Sequence, residues 1–236
     1  MAALEAATAS VIKETGVQAR LVLCTLRHNS AAQSMETVLL AEHFKNTLVA
    51  GFDIAADEAG FPITNHISAL GMQKKGASIA PPTPARQRVQ KVWETLEHFG
   101  PSRIGHGVRS MGDPKLVEHL RKRKIHLEIC PSCNVQTGLY EIYSGHPINR
   151  LYKAGVSLSV STDAPTIVNI TLTEEYEKPA SVFGWEAANF YKCNVYALEA
   201  AFLPAAVKQE LLGKLKVGMG WDSSSDLWYL PKLTLS

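Results

Sequence analysis

The chain has 236 residues and 25.8 kDa, with 46% hydrophobic and 19% charged residues, 16 glycines and 12 prolines. This is globular composition, which excludes collagen-like, low-complexity and wholly disordered chains. Twenty-four Lys+Arg against 22 Asp+Glu leave a formal charge of +2, so no global field draws nucleic acid or an anionic membrane surface. No apolar run reaches the roughly eighteen residues of a membrane span, and the opening MAALEAATASVIKETG has no apolar targeting segment. Four cysteines, at 24, 130, 133 and 193, are too few for a disulfide scaffold. The expectation is a soluble, cytoplasmic protein with neither a nucleic-acid nor a membrane partner.

Five short runs rich in Val, Ile and Leu predict buried strands: Ala19–Leu26, Leu48–Ala55, Arg103–Val108, Ile125–Ile129 and Val156–Val160. Amphipathic helices fall between them. The clearest is Asp113–Lys124, with Asp113 as cap, Pro114 in the first turn, and Leu116, Val117 and Leu120 on one face. Alternating strands and helices predict a parallel sheet with the helices outside it. Two stretches break the rhythm. Between Gly76 and Lys91 (GASIAPPTPARQRVQK) a strand is due, but no apolar run occurs and three prolines within Pro81–Pro84 exclude a central strand. From Val217 onward the tail VGMGWDSSSDLWYLPKLTLS has no sustained period.

Three strand ends carry reactive side chains, and strand C-termini are where parallel α/β folds place chemistry. Ile104-Gly105-His106-Gly107 sets a histidine between two glycines that permit close approach of a ligand. Ser159-Val160-Ser161-Thr162-Asp163-Ala164-Pro165 ends on a carboxylate able to bind a metal or orient water, or equally to cap the next helix. Gly51-Phe52-Asp53-Ile54-Ala55-Ala56-Asp57-Glu58 runs into an acidic turn. Cys130-Pro131-Ser132-Cys133, preceded by His126-Leu127-Glu128, imitates the signature of zinc nucleobase deaminases. These residues are read as sharing one short strand on alternating faces, which excludes a common ion. No helix pattern begins at Cys130 to acidify a thiol, so structural cysteines are favoured over redox ones.

Taken in order, GFDIAADE, RIGHGV, LEICPSCN, HPINRL, STDAPT and LTEEY resemble the adenosine deaminase family, above all its bacterial members, from about Leu4 to Leu215. The resemblance implies a (β/α)8 barrel of the TIM type with one catalytic zinc at its C-terminal face. It also implies hydrolysis of the 6-amino group of adenosine or a related aminopurine, giving inosine and ammonia. A purine nucleoside is thus the implied small-molecule partner. His106 matches the histidine that orients the attacking hydroxide, and Asp163 matches a zinc ligand. Ala56 and Ala164 stand at purine-binding positions where the family has Gly and Asp.

The family's remaining parts are missing. Its first strand carries a His-x-His zinc pair, and no two of the eight histidines here are so spaced. The resemblance places the start of this chain before the third strand, an incomplete barrel lacking two βα units, with residues 1–216 as barrel and 217–236 as tail. It leaves one of four zinc ligands. The family's His-Ala-Gly-Glu, source of a third histidine ligand and of the proton-donating glutamate, is due where Gly76–Lys91 stands. Pairing the third base of each codon from Ser78 to Val92 with the first two of the next yields, with permitted synonymous codons, His-Arg-Thr-Thr-His-Ala-Gly-Glu-Ala-Ala-Gly-Pro-Glu-Ser. That run restores the missing motif and leads directly into Val92-Trp93-Glu94, so a local frame disruption is expected. The chain as written is expected to be inactive. Its alternatives are a non-catalytic degenerate barrel that binds a purine or partner subunit, and a thiol redox protein using Cys130 and Cys133.

Overall fold

A computed structural model describes residues 1–56, 60–72, 77–79, 87–218, 221–222 and 227–228. The chain divides into two compact units, Met1–Glu128 and Ile129–Ser236.

In the first unit, α1 (Ala2–Thr15) leads into β1 (Leu21–Leu26), α2 (Ala31–His43) and β2 (Val49–Ala55). α3 (Ile67–Met72), β3 (Ala77–Ile79), α4 (Gln87–Phe99), β4 (Arg103–Gly105), α5 (Pro114–Arg123) and β5 (His126–Ile129) follow. β1, β2 and β3 form a parallel sheet, with Leu26 opposite Ala55 and Ile54 opposite Ile79. β4 and β5 pair in parallel, Ile104 opposite Leu127. The strand excluded between Gly76 and Lys91 is therefore present. It is three residues long, Ala77–Ile79, and the three prolines follow it in the sequence. Residues 80–86, the heart of the proline-rich run, lie outside the described residues.

The core of this unit gathers Leu23, Val38, Phe52, Ile54 and Ile63 around the β1–β2 pair. β1 is not buried on both faces as its apolar run predicts. Leu23 and Thr25 turn inward while Val22 and Leu26 are each 39% exposed, because β1 is the outer strand of its sheet. α2 is fixed at its start by a capping box between Ser30 and Gln33. α5 has the predicted cap: Asp113 accepts from the Lys115 N–H at 2.8 Å, Leu116 and Leu120 are buried, and Asp113 also accepts from Trp93 Nε1 of α4 at 2.9 Å.

In the second unit, α6 (Pro131–Gln136), α7 (Ile148–Lys153), β6 (Leu158–Val160), α8 (Pro165–Val168), α9 (Leu172–Phe183), α10 (Ala187–Ala200) and α11 (Ala205–Gly218) follow the last residue of β5. The Ser161 N–H, one residue past β6, donates to the Ile129 carbonyl at 2.9 Å and so continues the parallel pattern. Ile148, Leu151, Val156, Leu158 and Val160 form the buried centre. α11 continues to Gly218, and the described residues of the tail form a two-residue antiparallel ladder, β7 (Trp221–Asp222) with β8 (Leu227–Trp228). Among the described residues no helix is long and apolar enough to cross a membrane.

Candidate functional site

Three of the residues singled out in the sequence share one backbone signature. Ala56 follows β2, His106 follows β4, and Asp163 stands three residues past the end of β6. Their φ angles are 83°, 54° and 63°. For a residue with a Cβ the left-handed region costs roughly 1–2 kcal/mol and persists only where its surroundings impose it. Among the described residues six non-glycine residues have positive φ; Asn46 and Asn169, like His106 and Asp163, are of types that adopt it readily, and Lys124 ends a helix. Of the three strand-end residues, Ala56 alone is of a type for which this conformation is unusual.

In the first unit, His106 is half-buried and its backbone N–H donates to the Glu128 carbonyl at 2.8 Å, which continues the β4–β5 ladder one step. Gly107 does not open the strand end to a ligand, as the sequence reading held. A Cβ there would lie 2.6 Å from Leu127 Cδ2, so the glycine admits a buried leucine, and its φ of 62° adds a second reason. Between the strands lies a charged set that the motif search passed over. Arg103 pairs with Glu128 across β4 and β5. Asp53, opposite Cys24, has its carboxyl pushed up to about 7 by burial, against the opposing pull of the Ile54 N–H, Arg103 and Arg27. Burial, helped by Arg103, pushes His126 down to about 4. Burial and then Asp53 push Cys24 up to about 11. Asp57 and Glu58 lie outside the described residues.

In the second unit, Asp163 is exposed and is not the cap of α8. That position is Ala164, which has no side-chain acceptor to offer. Asp163 Oδ2 instead accepts the Cys133 thiol at 3.0 Å. Ala164, half-buried, supplies only a methyl group where the family resemblance places a carboxylate. Cys130 and Cys133 are placed differently from their sequence reading. β5 ends at Ile129, Cys130 is the N-cap of α6, and Cys133 lies within that helix. The two thiols therefore do not alternate across a strand, and a helix does begin at Cys130.

The thiols are not acidified by that helix. Burial first, then Asp163, Cys133 and Glu175, hold Cys130 far above the usual thiol range. Burial and the hydrogen bond to Asp163 push Cys133 up to about 12. An activated redox thiol needs the opposite shift. Beneath them Glu175 is 0% exposed, with Oε1 accepting the Ser132 N–H at 2.9 Å and Oε2 without a hydrogen-bond partner. Burial raises its carboxyl, opposed by Ser132 and Lys178. Lys178 Nζ donates to Ser132 Oγ at 2.7 Å. The members of this group, Cys130, Cys133, Asp163 and Glu175, fall in three stretches already quoted from the sequence, LEICPSCN, STDAPT and LTEEY.

The family's zinc site does not fit the residues present. Of its nitrogen and oxygen donors the chain carries Asp163, whose carboxylate is engaged by a thiol, and the His-x-His and His-Ala-Gly-Glu elements are absent from the sequence.

The parallel strands with outer helices define an α/β fold that solved structures share as a (β/α)8 barrel. Adenine deaminase from Arthrobacter aurescens superposes with a TM-score of 0.81 at 22% identity, over 90% of this chain and 65% of that one. An amidohydrolase from Burkholderia ambifaria, solved with bound Zn, gives 0.80 at 18% identity, over 92% of this chain and 61% of that one. The adenosine deaminase family profile matches residues 1–217, and the chain belongs to that family. It is 30% identical to adenine deaminase of Sinorhizobium fredii over 217 residues, 92% of this chain and 66% of the relative. It is 32% identical to adenosine deaminase 1 of Streptomyces coelicolor over 203 residues, 78% of this chain and 49% of the relative. The chain thus spans less than two thirds of the relatives it matches.

Proposed function

We propose that this chain derives from a hydrolytic 6-aminopurine deaminase and that the polypeptide as written does not turn over. The reaction adds water across the purine C6–N bond and releases ammonia, leaving a 6-oxopurine. Both adenine and adenosine carry the reacting amine. Relatives named for each are similar to this chain, those named adenine deaminase being similar over the larger share of it. Free adenine is therefore included with adenosine as a parent substrate.

The observation that carries the reading is the family match over residues 1–217 beside the absence of His-Ala-Gly-Glu from the sequence. By the family resemblance His106 is matched to the group that orients the attacking water and manages its proton, and Asp163 to a metal ligand. What is missing is chemical. No glutamate stands in the proton-donor motif, and neither histidine pair nor third histidine is present. Without a proton for the ring nitrogen, charge developing on the purine is unopposed and the barrier stays high. The hidden His-Ala-Gly-Glu in the shifted frame supports a parent that had both. Sequencing the gene from codon 70 to codon 95 tests this. One or two indels that restore the motif support it, and codons that cannot encode it contradict it. Ammonia release from adenine and adenosine tests the inactivity, with no release above buffer expected. Turnover by the purified chain overturns it.

A further inference from the structure

We propose that the outer edge of β1 is an interaction surface for a second copy of this chain, two β1 strands pairing antiparallel about a two-fold axis beside Cys24. The inference concerns the 236-residue chain and does not rest on the deaminase reading. Among the described residues β1 pairs with β2 alone, so its other edge is unpaired. The Leu21 N–H donates to the Leu48 carbonyl and the Arg27 N–H to the Ala55 carbonyl, each at 2.9 Å. Backbone groups alternate in direction along a strand. The odd-numbered residues therefore bond β2, and Val22, Cys24 and Leu26 aim their N–H and C=O groups outward. Of these groups the Leu26 carbonyl accepts the Asn29 N–H at 2.9 Å. No described residue bonds the three N–H groups or the Val22 and Cys24 carbonyls.

The strand is complementary to itself, which is what a two-fold interface requires. With Cys24 opposite the partner's Cys24, each Cys24 N–H donates to the other's carbonyl, and each Leu26 N–H donates to the partner's Val22 carbonyl. The side chains match as well. Val22 and Leu26, each 39% exposed, meet crosswise as apolar pairs on the exposed face. Leu23 and Thr25 stay turned into their own core, where Thr25 Oγ1 lies 3.0 Å from Ser34 Oγ of α2. An axis perpendicular to the sheet makes the strands antiparallel and keeps exposed face beside exposed face. A two-fold along the strands would set the exposed face of one chain beside the helix-covered face of the other. No residue of Leu21–Leu26 is charged or proline, the residue types that keep natural sheet edges apart.

Sedimentation equilibrium of the full chain tests the surface. The expected result is a discrete monomer–dimer equilibrium at tens of micromolar. C24K sets two lysines opposite one another on the axis and should weaken the dimer at least tenfold, while C24S should keep it. Far-UV circular dichroism shows whether C24K is folded. Because a variant can misfold, amide hydrogen exchange on the unaltered chain gives a second readout. Exchange at Cys24 and Leu26 should slow as protein concentration rises, while Leu23 and Thr25, already bonded to β2, should not change. A monomer at every concentration leaves the edge to another occupant and overturns the proposal. Association without a discrete dimer, a dimer unchanged in folded C24K, or exchange at Cys24 and Leu26 independent of concentration overturns it equally.

Discussion

At Ala56, φ 83° sets a methyl group where the backbone favours none. Ala56→Gly should stabilise the chain by about 0.5–1 kcal/mol, the relief of left-handed strain less the added freedom of the unfolded chain. Equilibrium denaturation measures it, and an unchanged or lower stability contradicts the account. Asp53 and His126 make a paired prediction. The Asp53 carboxyl, raised to about 7, binds its proton more tightly folded than unfolded, so its contribution falls as pH rises from about 4 to about 7. His126, lowered to about 4, binds its proton less tightly folded, so its contribution rises between about 4 and about 6.5. The two slopes oppose one another over the same range. Relative to the unaltered chain, D53N should gain stability with rising pH and H126Q should lose it. Parallel pH–stability curves for all three proteins contradict these shifts.

At the scale of elements, much was legible because periodicity reports burial. All five predicted strands occur, each trimmed by one to three residues, and α5 has its predicted cap and buried face. β3 was invisible because three residues carry no period and the prolines follow at once. The C-x-x-C turn was misread for a related reason. β5 stops at Ile129, and a helix whose first residues are Pro-Ser-Cys has no apolar repeat to announce it. His106 and Asp163 were found by motif order and placed correctly at strand ends. The burial of Asp53, Cys133 and Glu175 is not legible along the chain, although each lies in a quoted motif, because their environment is made by neighbouring elements, which spacing does not encode. Gly107 shows an element-level constraint. G107A should cost about 2 kcal/mol or more, since the new Cβ meets buried Leu127 and the left-handed φ at once. Thermal or chemical unfolding decides it, and a neutral variant contradicts the packing.

For the whole molecule, the proposed inactivity separates the fold from the chemistry. The family profile covers residues 1–217, while the sequence given holds neither a His-x-His pair nor a His-Ala-Gly-Glu run. A parallel sheet is specified by many apolar positions, each tolerant of substitution, whereas hydrolysis depends on a few groups with no substitutes. The family resemblance sets Ala56 and Ala164 against the alternative of an inert barrel that binds purines, since a methyl at 56 crowds the close approach a Gly permits and Ala164 offers no carboxylate. The redox alternative conflicts with thiols raised by burial and by Asp163.

The most direct measurement is ammonia release by the purified chain, supplied with zinc and given adenine and adenosine in turn. The account predicts no release above buffer with either substrate, and no change on H106A. Release that requires zinc and disappears in H106A would show that the chain catalyses the reaction without the motif glutamate, contradicting its central claim.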